Sequence, residues 1–229
     1  MSVDMNMVRT SSVTPSRMPR PSDDTPVVFV LDDDASVRES VEFLVESAGW
    51  QSEAFSSAEE FMSRARPAKP SCLVLDVDLP DVSGLDVQKR LAAERVHMPV
   101  IFVTGHGDVA VSVKAIKAGA IEFLTKPVDE DLLLEAIRHA LDRSRAALEQ
   151  AARTKAVRDS YASLTPRERE VMLLVVAGLL NKQVGGELGI SEITVKAHRG
   201  QVMRKMRADS LPALVHMVER LGLSTALTV

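Results

Sequence analysis

The 229-residue sequence holds a single cysteine, Cys72. One thiol excludes an internal disulfide framework and any zinc site built from several cysteines. Cys72 sits in the apolar run Cys72–Leu75, which suits an inert buried thiol rather than a nucleophile. Aromatic residues are scarce at 3%, which disfavours a surface that stacks single-stranded bases on successive rings. No apolar run approaches the ~18 residues that a membrane-spanning helix needs. The first residues lack the continuous apolar core of a signal peptide, so the expected address is cytoplasmic, with no membrane partner. What remains is an ordinary globular composition, 45% hydrophobic and 26% charged. The length suits one large domain or two small ones.

Charge decides between them. Residues 27–142 carry 11 basic and 21 acidic groups, whereas residues 160–229 carry 9 and 6. An acidic half joined to a mildly basic half implies two domains with different partners. Residues 1–25 are rich in Ser, Pro, Thr, Met and Asp, have no periodicity, and read as a disordered leader.

From Val27 apolar strands alternate with amphipathic helices. Strands are expected at Val27–Leu31, Gln51–Phe55, Ser71–Leu75, Val100–Thr104 and Ile121–Leu124. Helices are expected between them, including Ser57–Arg64, Gly84–Glu94 and Asp108–Ala118, with a last one from near Asp129. Five βα units predict an α/β fold with a doubly wound, parallel, five-stranded sheet. Such sheets place their sites beyond the carboxyl ends of the strands. Along the last helix Leu134, Ile137, Leu141, Ser144, Leu148 and Ala151 keep a heptad spacing. Two readings stay open, a short dimer coil or simple packing of Leu134–Leu141 on the sheet.

The strand ends carry chemistry. Asp32 and Asp33 follow the first strand, Asp76 ends the third, Thr104 the fourth, and Lys126 follows the fifth. Three carboxylates in one pocket repel one another, and Mg²⁺ relieves such a cluster. A carboxylate left uncovered beside Mg²⁺ can attack a phosphoryl group, with Lys126 and Thr104 opposing its oxygens.

The second half is all-helical. Thr165-Pro166-Arg167-Glu168 is a capping box with Pro in the first helical position, and that helix runs to Ala177. Asn181–Leu188, a turn Gly189-Ile190-Ser191, and Ser191–Met206 follow, then Ser210–Leu221. Helix, short glycine-containing turn, helix is a helix-turn-helix layout. The Ser191–Met206 helix carries Lys196, Arg199, Arg204 and Lys205, with Arg207 directly after it.

Residues 27–145 resemble the receiver domain of two-component response regulators. The carriers are Leu31-Asp32-Asp33-Asp34, Leu75-Asp76-Val77-Asp78-Leu79-Pro80, Val103-Thr104-Gly105 and Phe123-Leu124-Thr125-Lys126-Pro127. The resemblance implies a flavodoxin-like receiver over 26–142 with Asp76 as phosphoacceptor. It implies Mg²⁺ held by Asp32, Asp33, Asp76 and the Asp78 backbone carbonyl. Thr104 and Phe123 become a switch pair, Lys126 the phosphoryl-contacting cation, and the Lys126-Pro127 bond is expected to be cis. Asp76-Val77-Asp78 is also similar to the nucleophile motif of haloacid-dehalogenase-type phosphatases. That motif wants a hydroxyl where Pro80 stands, and no cap domain is evident.

Residues 161–225 resemble the LuxR/FixJ/NarL-type DNA-binding module. The carriers are Leu164–Glu170, Asn181-Lys182, Leu188-Gly189-Ile190-Ser191 and Thr194-Val195-Lys196-Ala197-His198. By this resemblance Thr194, Lys196, Ala197, Arg199 and Gly200 face the DNA groove, and Lys182 and Lys205 contact phosphates. The DNA-binding domain is assigned to 161–229, with a helical linker over 143–160. Two departures stand out. Val184-Gly185-Gly186 puts two glycines inside a helix, and Gly200 offers no side chain to a base. The implied partners are a sensor histidine kinase, double-stranded promoter DNA, a second copy after phosphorylation, and RNA polymerase as a further candidate. The competing view is a module that binds DNA constitutively, with the receiver serving only to dock.

Overall fold

The structure is a computed structural model, and it describes residues 25–94, 96–105 and 109–223. The expected leader, except Thr25, lies outside the described residues, as does Asp108, the expected start of the fourth helix.

Five parallel strands build one sheet: β1 (Val27–Leu31), β2 (Gln51–Phe55), β3 (Ser71–Asp76), β4 (Val100–Thr104) and β5 (Glu122–Thr125), in the order β2-β1-β3-β4-β5. Strand β5 runs one residue later than the sequence pattern suggests, ending on Thr125, which pairs with Thr104. The helices between them are α1 (Ala35–Ser47), α2 (Ala58–Ser63), α3 (Gly84–Ala93), α4 (Val109–Lys117) and α5 (Glu130–Ala162). Four of these starts have a local cause. Asp34, Ser57, Ser83 and Asp129 each accept a hydrogen bond from a first-turn amide of the helix that follows, which satisfies donors the helix cannot pair internally.

Strands β1, β3 and β4 are buried on both faces, so they read as continuous apolar runs. Val28, Val30, Val74 and Ile101 face α1 and α5, while Phe29, Leu31, Leu73 and Phe102 face the side that holds α2 and α3. The few aromatics are concentrated. Phe29, Phe55 and Phe61 form a triad with ring centroids 5.5–6.0 Å apart, in edge-on and tilted geometry that adds to simple burial. Cys72 is fully buried on the opposite face, and burial pushes its thiol above the ordinary range.

Helix α5 is one continuous element of 33 residues. Ile137 and Leu141 pack into the sheet's core. Ser144 is buried, and its hydroxyl accepts a hydrogen bond from the Ser71 amide at the start of β3, at 3.0 Å. The first part of the heptad seam therefore meets the sheet, and the serine in it has a local role. Leu148 and Ala151 are exposed. Farther on, Val157 and Tyr161 enter the second domain's core.

That domain adds α6 (Pro166–Val176), α7 (Asn181–Leu188), α8 (Glu192–Met206) and α9 (Leu211–Arg220). Val171, Val175, Val184 and Val195 form one cluster, and Met172, Val202, Met206, Leu214 and Val218 another. Glu168 ties the start of α6 to the end of α8. Its carboxylate accepts from the Thr165 amide at 2.8 Å and from the Lys205 ammonium at 2.6 Å. The side chain of Glu168 is almost wholly buried, that of Lys205 partly so.

The two interior glycines of α7 differ. A Cβ on Gly185 would lie 2.8 Å from the Ile190 carbonyl oxygen, whereas one on Gly186 would meet nothing within 4 Å. Gly185 is the close approach that seats α7 on the turn before α8. Gly186→Ala should therefore stabilise the second domain by about 1 kcal/mol, the usual helical advantage of alanine. Gly185→Ala should destabilise it. Calorimetric unfolding of the full chain checks both, and equal shifts of the same sign would contradict the assignment.

The Glu168 pair sets a pH dependence. The Lys205 hydrogen bond, then the Thr165 amide, hold the Glu168 carboxyl below its ordinary value of 4.5. A depressed folded value means the stabilisation is present above the unfolded value and is lost as pH falls through the folded one. Glu168→Gln should lower the unfolding temperature of this domain at pH 7, with the gap to wild type narrowing once the pH drops below the ordinary glutamate range. A gap that stays constant across the acid range would rule the linkage out.

Candidate functional site

The carboxyl ends of β1, β3 and β4 bring Asp32, Asp76 and Thr104 to one edge of the sheet. Parallel pairing in register does this: Leu31 lies beside Leu75, and Asp76 beside Val103. Lys126 follows β5, and its amide donates to the Thr104 carbonyl at 2.7 Å. The Lys126-Pro127 bond is cis, as expected.

One cation is shared. The Lys126 ammonium lies 2.7 Å from Asp32 Oδ2 and 2.6 Å from Asp76 Oδ2. The other oxygen of each carboxylate accepts a backbone amide: Asp34 donates to Asp32 at 2.9 Å, and Asp78 donates to Asp76 at 3.0 Å. Asp32 is 3% exposed and Asp76 6%, while Asp33 is exposed. Carboxylate oxygens of Asp32, Asp33 and Asp76 lie within 4.8 Å of one another.

Burial pushes the Asp32 carboxyl above its ordinary range, against the pull of the Lys126 hydrogen bond and the Asp34 amide. Burial alone would lower Lys126, but the hydrogen bonds from Asp32 and Asp76 outweigh it and raise the ammonium above its ordinary value. The lysine is thus firmly charged, and it bonds two of the three clustered carboxylates, Asp32 and Asp76. Hard oxygen donors with excess negative charge fit Mg²⁺, which takes one or two carboxylates and keeps several waters. The receiver family typically holds Mg²⁺ at such an acidic pocket.

Thr104 is fully buried, and its hydroxyl donates to Asp78 Oδ2 at 3.3 Å. Phe123 is half-buried on β5, with its ring 6.2 Å from that of Phe102. His106, two residues after Thr104 in the sequence, lies outside the described residues.

Two supporting residues escaped the sequence reading. Arg38 donates to the Asp32 carbonyl at 2.8 Å and fixes the loop after β1. Gly84 begins α3 directly beneath Asp76: a Cβ there would lie 2.2 Å from the Asp76 carbonyl oxygen. A glycine at a helix start, just after a serine N-cap, was the available signal. No side chain can occupy that position without displacing the strand end that carries Asp76.

On the second domain the expected DNA-facing residues separate. Lys182, Lys196, Ala197 and Gly200 are exposed. Lys196 pairs loosely with Glu192 at 3.1 Å on its own helix. Thr194 is exposed, but its hydroxyl shares a 2.8 Å hydrogen bond with the N-cap Ser191. Arg199 is half-buried and donates to Asn181 Oδ1 at 3.2 Å, bracing α8 on α7. Lys205, expected at a phosphate, has its ammonium committed to Glu168 instead. The run of basic residues along α8 could not disclose that pairing, because Glu168 lies 37 residues earlier. Ile193, absent from the expected set, is 80% exposed.

Among the described residues no helix is long and apolar enough to cross a membrane. The family model of the response regulator receiver domain matches residues 28–138, and that of the bacterial regulatory proteins of the luxR family matches residues 162–218. Nodulation protein W of Bradyrhizobium diazoefficiens is 48% identical over 198 residues, covering 86% of this chain and 87% of its own. Transcriptional regulatory protein FixJ of Azorhizobium caulinodans is 44% identical over 199 residues, covering 87% of this chain and 94% of its own. Among solved structures, response regulator StyR is similar at a TM-score of 0.78 and 45% identity, covering 86% of this chain and 99% of that one. A receiver domain implies a sensor kinase as partner, and a LuxR-type domain implies DNA. The shared lysine at the sheet edge and the helical module behind it thus belong to a response regulator of the FixJ and NodW kind, a phosphorylation-regulated transcription factor with an N-terminal receiver and a LuxR-type DNA-binding domain.

Proposed function

We propose that Asp76 accepts the phosphoryl group, from a sensor histidine kinase, and that the modified chain dimerises on promoter DNA in the cytoplasm. The observation that carries the reading is the Lys126 ammonium held between Asp32 and Asp76. Asp32, Asp33, Asp76 and the Asp78 backbone carbonyl would hold Mg²⁺. Mg²⁺ bound there draws negative charge from the phosphoryl oxygens. An Asp76 carboxylate oxygen attacks phosphorus, the P–N bond to the kinase histidine breaks, and its electron pair leaves with the imidazole. Lys126 then exchanges the Asp76 carboxylate for a phosphoryl oxygen. The work is mostly positioning and charge neutralisation, so the chain assists its own phosphorylation without being an enzyme in the ordinary sense.

Thr104 and Phe123 form the switch. The hydroxyl leaves Asp78 for a phosphoryl oxygen, and the Phe123 ring follows it inward. This biases a two-state surface around α4 and β5. Val109, Val113 and Ile116 leave an apolar stripe exposed along α4, which supports this face as the dimer contact. On DNA, the exposed Thr194, Lys196, Ala197 and Gly200 lie toward the major groove and Lys182 toward a phosphate. Contact with RNA polymerase at the promoter belongs to the same reading. Arg199 and Lys205 are left out of the DNA contacts, because Asn181 and Glu168 hold them. The domain boundaries in this reading are 26–142 for the receiver, 143–160 for the linker within α5, and 161–229 for the DNA-binding domain.

Intact mass after incubation with Mg²⁺ and acetyl phosphate tests the chemistry. Wild type should gain one phosphoryl group and Asp76→Asn none; a gain in the variant would move the acceptor elsewhere. Sedimentation of the modified sample should show a dimer. A monomer that occupies DNA at the same concentration would remove the dimer step.

The salt dependence of DNA binding tests the cation assignment. Each neutralised phosphate contributes a slope of about 0.9 in log K against log salt. Lys182→Ala should reduce the slope by about that amount per DNA-bound subunit. Lys205→Gln should leave the slope unchanged while lowering the domain's unfolding temperature. The reverse pattern would return Lys205 to the DNA.

A further inference from the structure

We infer that Ile193, at the outward pole of α8, reads the C5-methyl group of a thymine. The inference deepens the DNA-binding reading and rests on it.

The core fixes the orientation of the helix. Val195, Val202 and Met206 are buried and face the domain interior. At about 100° per residue, the positions diametrically opposite are Ile193, Ala197, Gly200 and Arg204. These are the residues farthest from the domain and nearest to anything α8 enters. Over the first two turns this pole carries no charge and no hydrogen-bonding side chain.

Ile193 is 80% exposed, more than any other large apolar residue described. It belongs to none of the core clusters. Its neighbours at the pole clear the way for it. Ala197 and Gly200 are small, and a Cβ on Gly200 would meet nothing within 4 Å. The domain therefore does not itself demand glycine there, and its absent side chain lets the helix approach a partner closely.

The polar groups that could compete for base edges already have partners within the domain. Thr194 is hydrogen-bonded to Ser191, and Arg199 to Asn181. The Arg204 guanidinium donates to Gln201. Lys196 stands at the flank, where it suits a phosphate or a neighbouring base.

Guanine is read by bidentate arginine or lysine, and adenine by asparagine or glutamine. Over its first two turns the pole of α8 offers neither, and the Arg204 guanidinium farther along is bonded to Gln201. The thymine methyl is the apolar group that base pairs present in the major groove. The early residues of a recognition helix are the ones that meet base edges. Continuity with the exposed lysines on either side, Lys182 and Lys196, favours a polyanion over an apolar protein surface as the occupant.

The test uses the full chain with Mg²⁺ and acetyl phosphate. Duplexes it retains are selected from a randomised double-stranded pool. Each thymine in the retained sequence is then replaced by deoxyuridine, which removes only the methyl. At one position per half-site, binding should weaken by about fourfold, the factor for one buried methyl group. Ile193→Ala should bind the thymine and deoxyuridine duplexes equally at that position. Equal binding of both duplexes by wild type at every position would overturn the inference, and so would discrimination that survives in Ile193→Ala. Failure to enrich any sequence would instead overturn the DNA-binding reading beneath it.

Discussion

The receiver depends on one ammonium between two buried carboxylates. Asp32 and Asp76 sit on adjacent strands at the same edge of the sheet, where mutual repulsion in a low-dielectric setting would be severe. Lys126 cancels it by bonding both. To deliver that ammonium the chain must bring β5 alongside β4 and turn sharply after it. The hydrogen bond from the Lys126 amide to the Thr104 carbonyl holds the residue there. Gly84 serves the same end from below, since the Asp76 carbonyl occupies the space a side chain would need. A buried pair of this kind contributes little net stability, because desolvation offsets attraction, but removing one partner is costly. The arrangement therefore fixes the positions of two carboxylates and an ammonium while adding little to fold stability.

The second domain uses the same device for a different purpose. Glu168 accepts from the Thr165 amide and from Lys205, so one carboxylate caps α6 and anchors the far end of α8. Arg199 joins α8 to α7 through Asn181. Gly185 lets α7 lie against the turn that leads into α8. All three contacts orient α8, whose outward face is then set by the burial of Val195, Val202 and Met206.

How much of this was legible in the sequence follows from the range of each interaction. The strands β1, β3 and β4 were legible because burial on both faces leaves unbroken apolar runs. Helix starts were legible because a cap is a local event, as at Thr165 and Ser191. The acidic site was legible because parallel strands collect their carboxyl ends at one edge, so order along the chain predicts proximity. The partners of Lys205 and Arg199 were not. A cation on a helix looks the same whether it faces solvent, phosphate or a glutamate 37 residues away. The seam on α5 left two readings open for a related reason: Ile137 and Leu141 have the spacing of a coil, yet that spacing is also what a helix needs to lie on a sheet. Ser144 broke the seam because it has a different partner, the Ser71 amide.

These assignments change how DNA affinity should be apportioned. The second domain is only mildly basic to begin with. Lys205 and Arg199 are spent on internal contacts, and Lys196 is partly offset by Glu192. Few cations are left to release counterions from the duplex, and that release supplies most of the non-specific affinity of such proteins. A single copy therefore has a weak electrostatic hold, while two copies on a two-part site double the number of phosphate contacts on one duplex. A low cation supply per copy thus makes occupancy depend steeply on whether a second copy binds beside the first, which is where the proposed phosphorylation-driven dimer would act.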